Sequence, residues 1–151
     1  MRTLGMQPHP EGGWYVEIHR SSTGVVHVGP SGEERRCAMT SIYYLLERGQ
    51  RSHWHRVDAD ELWAWHAGAA MELSIASGLG PEGGSMCAAR AVDVHRLGMD
   101  LACGERPQAV VPAHAWQSAQ PLGEWSLVGC AVAPGFEFSR FEIAPRGWSP
   151  R

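Results

Sequence analysis

The sequence predicts an all-β sandwich or barrel formed by one domain over residues 1–151. Three observations lead there. No stretch longer than about ten residues keeps a convincing helical period. Short segments that alternate apolar and polar residues recur along the chain. Glycine and proline, at 18 and 10 residues, punctuate them at short intervals.

The elements follow in order. "WYVEIH" at 14–19 puts Trp14, Val16 and Ile18 on one side and Tyr15, Glu17 and His19 on the other. "AMTSIYYLLE" at 38–47 is rich in β-formers, and one of Tyr43 and Tyr44 should face inward. "ELWAWHA" at 61–67, "MELSIAS" at 71–77, "AVDVHRL" at 91–97 and "AVVPA" at 109–113 continue the series. "WSLVGCAVA" at 125–133 and "FEFSRFEIA" at 136–144 complete it, the latter placing Phe136, Phe138 and, after a shift, Phe141 along a late strand. Between them, "PEGG" at 10–13 and 81–84, "GPSGEE", "ACGERP" and "PLGE" are loops by composition.

Composition narrows the function. The net charge is -3, with 13 basic and 16 acidic residues and no basic run, so nucleic acid is not an expected partner. No apolar run approaches the roughly 20 residues that span a bilayer, and the N-terminus lacks the apolar stretch of a secretory signal. The expectation is a cytoplasmic protein with no membrane partner. Cys37, Cys87, Cys103 and Cys130 form no C-x-x-C pair and match no zinc module, so they read as reduced thiols. Seven tryptophans suit an aromatic interior with room for a small-molecule ligand.

The stretch "GQRSHWHRVDADELWAWHAG" at 49–68 carries the candidate chemistry. On a strand, His53 and His55 would project to one face, with Trp54 on the other. Two imidazoles side by side form two corners of a metal site, and a third ligand beside an open position would complete a catalytic one. The pair alone is weak evidence, because histidines on a strand also occur as hydrogen-bonded core or rim residues. The strand from Glu61 shares one face among Glu61, Trp63 and Trp65. A hairpin with His-x-His on one arm and Glu61 on the other would bring three ligands together.

Gly49, His53, His55, Glu61 and Gly68 resemble the first signature motif of the cupin superfamily. The gap from His55 to the acid is one residue longer than usual. Counting forward therefore selects Asp60, and counting back from Gly68 selects Glu61, the preferred choice. The second motif resembles "GERPQAVVPAHAWQSA", with Gly104 and Pro112 in place. His114 stands in the glycine slot and Gln117 where the final histidine would be, a departure that weakens metal binding. "PHPEGGWY", "SIYYLL", "HRVDADELW", "VVPAHAWQ" and "VAPGFEF" together resemble one small single-domain cupin family of unknown function.

The resemblance implies a double-stranded β-helix, or jelly-roll barrel, commonly a homodimer, with a pocket in the barrel mouth. It implies a metal set of His53, His55, Glu61 and Gln117 holding a divalent Fe, Mn, Ni or Zn ion. The first expectation is a metal-dependent isomerase, lyase or dioxygenase acting on a small organic molecule. The second is a metal-free epimerase-like isomerase, in which a histidine acts as base and Tyr44 or a carboxylic acid as acid. The third is a binding protein without chemistry. Glu61, Tyr44 and His114 are the candidate catalytic residues. Glu11, Trp63, Trp65 and Phe136 are the candidate ligand contacts. "PHPEGG" reads equally as a tight turn or as a segment closing the pocket with His9 or Glu11.

Overall fold

Two β-sheets face each other and bury a common core. The computed structural model describes residues 2–29, 32–77 and 92–150. Cys87, the second "PEGG" and the first residue of "AVDVHRL" lie outside them. The strands are β1 (Gln7–Pro8), β2 (Trp14–Arg20), β3 (Gly24–Gly29), β4 (Gly32–Cys37), β5 (Thr40–Glu47), β6 (His55–Arg56) and β7 (Asp60–Gly68). They continue as β8 (Met71–Ala76), β9 (Asp93–Leu97), β10 (Gln108–Val111), β11 (Trp116–Pro121), β12 (Trp125–Ala133) and β13 (Glu142–Ile143). One sheet runs β1-β2-β5-β12-β7-β10, the other β13-β6-β11-β8-β9, and β3-β4 form a separate hairpin. The pairings within strands are antiparallel, and the all-β jelly roll is the expected class.

Alternation builds the interior. Along β12, Ser126, Val128, Cys130 and Val132 are buried while their neighbours are not. On β7 they face Glu61 and Trp63 through the pairs Val132↔Glu61 and Cys130↔Trp63. A register shift beside Leu127 and Val128 breaks the period near Trp65. Leu46, Met71, Leu73, Leu97 and Val128 close the lower core at 0% exposure. Removing these apolar surfaces from water is the main stabilising term of such a sandwich. Among the described residues no helix is long and apolar enough to cross a membrane.

Three expectations of local structure are corrected. Residues 55 and 61 do not lie on two arms of one hairpin. β6 pairs with β11 and β13, whereas β7 pairs with β12 and β10, so His55 and Glu61 come from different sheets. In "GPSGEE", Gly29 ends β3 and Gly32, Glu33 and Glu34 begin β4, so these residues are strand rather than loop. "FEFSRFEIA" is a 3-10 turn at Phe138–Arg140 followed by the two-residue β13, not a strand. Its phenylalanines gather instead, with Phe136 4.9 Å from Phe138 and 5.6 Å from Phe141 between ring centroids. β11, "WQSAQP", carries little strand signal, yet it is buried between β6 and β8.

A candidate acid–base site in the barrel mouth

A cavity of about 140 Å³ opens between the sheets. At roughly 10–15 Å³ per water-sized sphere, that holds on the order of ten such groups. His55 lines it from one sheet, and Tyr44, Glu61, Trp63 and Cys130 from the other. His9 and Glu11 reach in from the connection between β1 and β2, and Phe136, Phe138 and Phe141 form an aromatic wall.

The sequence places Glu11 here through a forced turn. Gly12 and Gly13 have φ of +105° and +72°, a region that costs other residues about 1–2 kcal/mol. A Cβ on Gly13 would sit 2.7 Å from the Leu45 carbonyl oxygen and 3.1 Å from the Tyr44 hydroxyl. Tyr44 donates that hydroxyl to the Gly12 carbonyl at 2.7 Å, and the Glu11 carbonyl accepts from the His53 N–H at 2.7 Å. "PHPEGG" is thus both the tight turn and the segment that carries a buried carboxyl to the pocket.

Proton positions follow from the partners. His55 Nδ1 lies 2.8 Å from the His53 carbonyl oxygen, which can only accept, so Nδ1 carries hydrogen. Nε2 lies 3.2 Å from Glu11 Oε2. Burial drives His55 down to about 4, with His9 and His53 pushing the same way and the bond to the His53 carbonyl resisting. Burial, and then the Glu61 charge, hold Glu11 well above the usual carboxyl range. Both groups are therefore neutral at rest, with Glu11 Oε2 and His55 Nε2 in contact at 3.2 Å. His9 is driven down to about 4 by burial, and its Nδ1 accepts from the Glu11 N–H at 3.3 Å.

Glu61 is held separately. Gln117 Nε2 donates to Glu61 Oε2 at 2.6 Å, and the Cys130 thiol also donates to this carboxylate. Burial pushes Glu61 up to about 7, and these two donors pull it part of the way back. Asp60 is exposed and accepts from the Ala113 N–H at 2.9 Å, so the acid in the pocket is Glu61.

The remaining candidates are distributed differently. His53 does not line the cavity, and its Nε2 lies 2.9 Å from the Ala144 carbonyl oxygen. His114 is exposed on the turn between β10 and β11 with φ of +66°, the conformation that the motif's glycine would supply. Trp65 packs against the closed end of the core and donates Nε1–H to the Ala69 carbonyl at 3.0 Å. Trp63 and Phe136 do line the cavity. Tyr44 lines it too, its hydroxyl donating to the Gly12 carbonyl and lying within hydrogen-bond reach of the Glu11 carboxyl. His9, Phe138 and Phe141 join the site, and only His9 had a sequence signal, in "PHPEGG".

The expected metal set does not fit a divalent ion. His53 points to the C-terminal segment, and the Gln117 carbonyl oxygen accepts from Trp63 Nε1–H at 2.9 Å. Gln117 thereby presents N–H, which is no ligand, to Glu61. Among the described residues, His27, Glu34 and Asp58 do have ligand atoms within 4.8 Å of one another. They lie outside the cavity, with Asp58 paired to Arg36 and Glu34 to Arg140.

The family described as "Cupin superfamily (DUF985)" matches residues 1–144. The chain belongs to this cupin family. Protein SO0799 from Shewanella oneidensis is similar to this cupin at 38% identity and a TM-score of 0.77, over 95% of this chain and 80% of that one. A hypothetical protein from Leishmania major is similar at 33% identity and a TM-score of 0.82, over 95% and 84%. A dTDP sugar isomerase from Desulfovibrio desulfuricans shares the cupin fold at 12% identity and a TM-score of 0.58, over 88% and 85%. The comparison with curated proteins gave no match.

Proposed function

We propose that this cupin is a metal-free isomerase or epimerase acting on a small, uncharged hydroxy-carbonyl compound. The observation that carries this reading is the 3.2 Å contact between Glu11 Oε2 and His55 Nε2, in a cavity shared with Glu61. Two carboxyls in one buried cavity, one a neutral acid and the other titrating near 7, divide acid and base roles between them.

Glu61 takes the proton from the carbon next to the carbonyl. Glu11 gives its proton to the carbonyl oxygen, and the product of this step is an enediol. The C–H electron pair moves into the new C=C bond, and the carbonyl π pair takes up the Glu11 proton. His55 Nε2 holds the Glu11 proton in line beforehand. Glu61 then returns its proton to the neighbouring carbon, or to the other face of the original carbon after the enediol turns, while the hydroxyl that becomes the new carbonyl gives its proton back to Glu11. Correctly placed proton transfer of this kind contributes roughly 10²–10⁴-fold to a rate.

The walls argue against negative charge on the substrate. Arg20 at the rim is held by Glu17 at 2.9 Å and Glu137 at 3.1 Å. An anion would meet Glu11 and Glu61 without a free cation among the described lining residues. The test is hydrogen exchange in D2O with short aldoses, ketoses and α-hydroxy ketones, read by proton NMR. Loss of the α-proton signal with the native protein, slowed at least 100-fold in Glu11→Gln and Glu61→Gln, is expected. Binding of these compounds with no exchange would leave a ligand-binding pocket without chemistry, a reading that the aromatic wall favours.

A further inference from the structure

We propose that Trp63 locks the Gln117 amide in the one orientation that closes this cupin centre to divalent cations. An indole N–H can only donate, so the Gln117 atom facing Trp63 Nε1 at 2.9 Å is the carbonyl oxygen. The other end of the same amide is then NH₂, 2.6 Å from Glu61 Oε2. Both Trp63 and Gln117 are buried, at 1% and 0% exposure, so no water competes for either contact. The amide cannot turn without leaving the indole N–H unpaired in the core and facing two oxygens at each other across Glu61.

The consequence is specific to cations. A divalent ion between His55 and Glu61 needs oxygen or imidazole lone pairs directed at it. Gln117 turns its NH₂ group to Glu61 instead, and its carbonyl lone pairs are turned to Trp63 in the core. His55 and Gln117 are register partners on β6 and β11, so their side chains project from the same face of that sheet. The NH₂ group supplies Glu61 with a donor in the place a cation would occupy. Trp63 is thus a specificity-determining residue rather than a ligand contact alone. This inference rests on the metal-free reading of the site.

The test is metal binding by the full chain, without any substrate. Titrations with Mn²⁺, Co²⁺, Ni²⁺ and Zn²⁺ are followed by calorimetry, and retained metal is counted by elemental analysis after gel filtration. Trp63→Phe keeps the ring and removes the donor, freeing the amide to turn. Gln117→His replaces the amide with an imidazole, and it keeps the proposal testable if the first variant does not fold. Circular dichroism and a thermal melt report folding of each. The expected result is no stoichiometric metal on the native protein and at least tenfold tighter binding by whichever variants fold. Folded variants that bind no better than the native protein would overturn the lock and leave the metal-free reading standing. Stoichiometric metal on the native protein, lost in Glu61→Gln, would overturn both.

Discussion

His55 Nε2 lies 3.2 Å from Glu11 Oε2, while Nδ1 of the same ring lies 2.8 Å from the His53 carbonyl oxygen. The second contact decides the first. A carbonyl cannot donate, so the ring's own proton is spent on Nδ1, and any proton shared between Nε2 and Oε2 comes from Glu11. His53, expected as a ligand, acts through its backbone: its carbonyl fixes the tautomer and its N–H holds the Glu11 carbonyl.

That arrangement predicts the Nδ1–H tautomer for His55 in the resting protein at pH 7. Long-range ¹⁵N–¹H NMR of the imidazoles checks it. Glu11→Gln should preserve the tautomer, because the amide NH₂ can still donate to Nε2, while exchange activity falls by about 10²-fold or more. An Nε2–H tautomer in the native protein would remove Glu11 as the acid.

The Glu61 carboxyl should make stability depend on pH with a definite sign. Its pKa rises from 4.5 to about 7 on folding, so between those values the native state keeps a proton that the unfolded chain has lost. Stability from this group therefore falls as pH rises from 4.5 to 7, by roughly 3 kcal/mol in total. His9 and His55 oppose it, because their native values of about 4 lie below the unfolded 6.5 and stability falls as pH drops through that window. Urea melts from pH 4.5 to 7.5 should show Glu61→Gln gaining on the native protein as pH rises.

Gly13→Ala should cost about 2–4 kcal/mol, because the added methyl meets backbone and side chain in the core as well as a disfavoured φ. Gly5→Ala is the control. Its φ of +65° is similar, but no atom lies within 4 Å of the added carbon, so about 1 kcal/mol is expected. Thermal and urea melts compare the two. Equal costs would mean that the turn carrying Glu11 is not pinned by Tyr44, Leu45 and Leu46.

His114→Gly should leave exchange activity unchanged and stabilise the fold by up to about 1 kcal/mol. The residue is exposed and already has the φ of +66° that glycine adopts freely. A large loss of activity in this variant would return His114 to the site.

Particular residues show how far the chain could be read in one dimension. Alternation in "ELWAWHA" put Glu61, Trp63 and Trp65 on one face, which holds for Glu61 and Trp63 before the register shift at Trp65, and spacing back from Gly68 selected Glu61 over Asp60. These are local properties, because a strand fixes its own faces by the geometry of two successive peptides. The same rule failed at "SHWH", where only His55 belongs to a strand, and His53 turns to the Ala144 carbonyl instead of following His55. It failed at 136–141 too, where the chain leaves the sheet in a 3-10 turn and the three phenylalanines meet in space.

The sequence by itself determined the segments of β2, β5, β7, β8 and β12, the all-β class and the inward carboxylate of β7. Only the tertiary structure decided that Glu11 meets His55, that Gln117 offers nitrogen rather than oxygen to Glu61, and that His53 stands outside the pocket. The physical reason is range. Strand faces follow from adjacent residues, whereas Glu11 with His55 and Trp63 with Gln117 are 44 and 54 positions apart, brought together by sheet pairing and loop closure. Which end of an amide turns inward, and which nitrogen of an imidazole keeps its proton, depends on partners that distant.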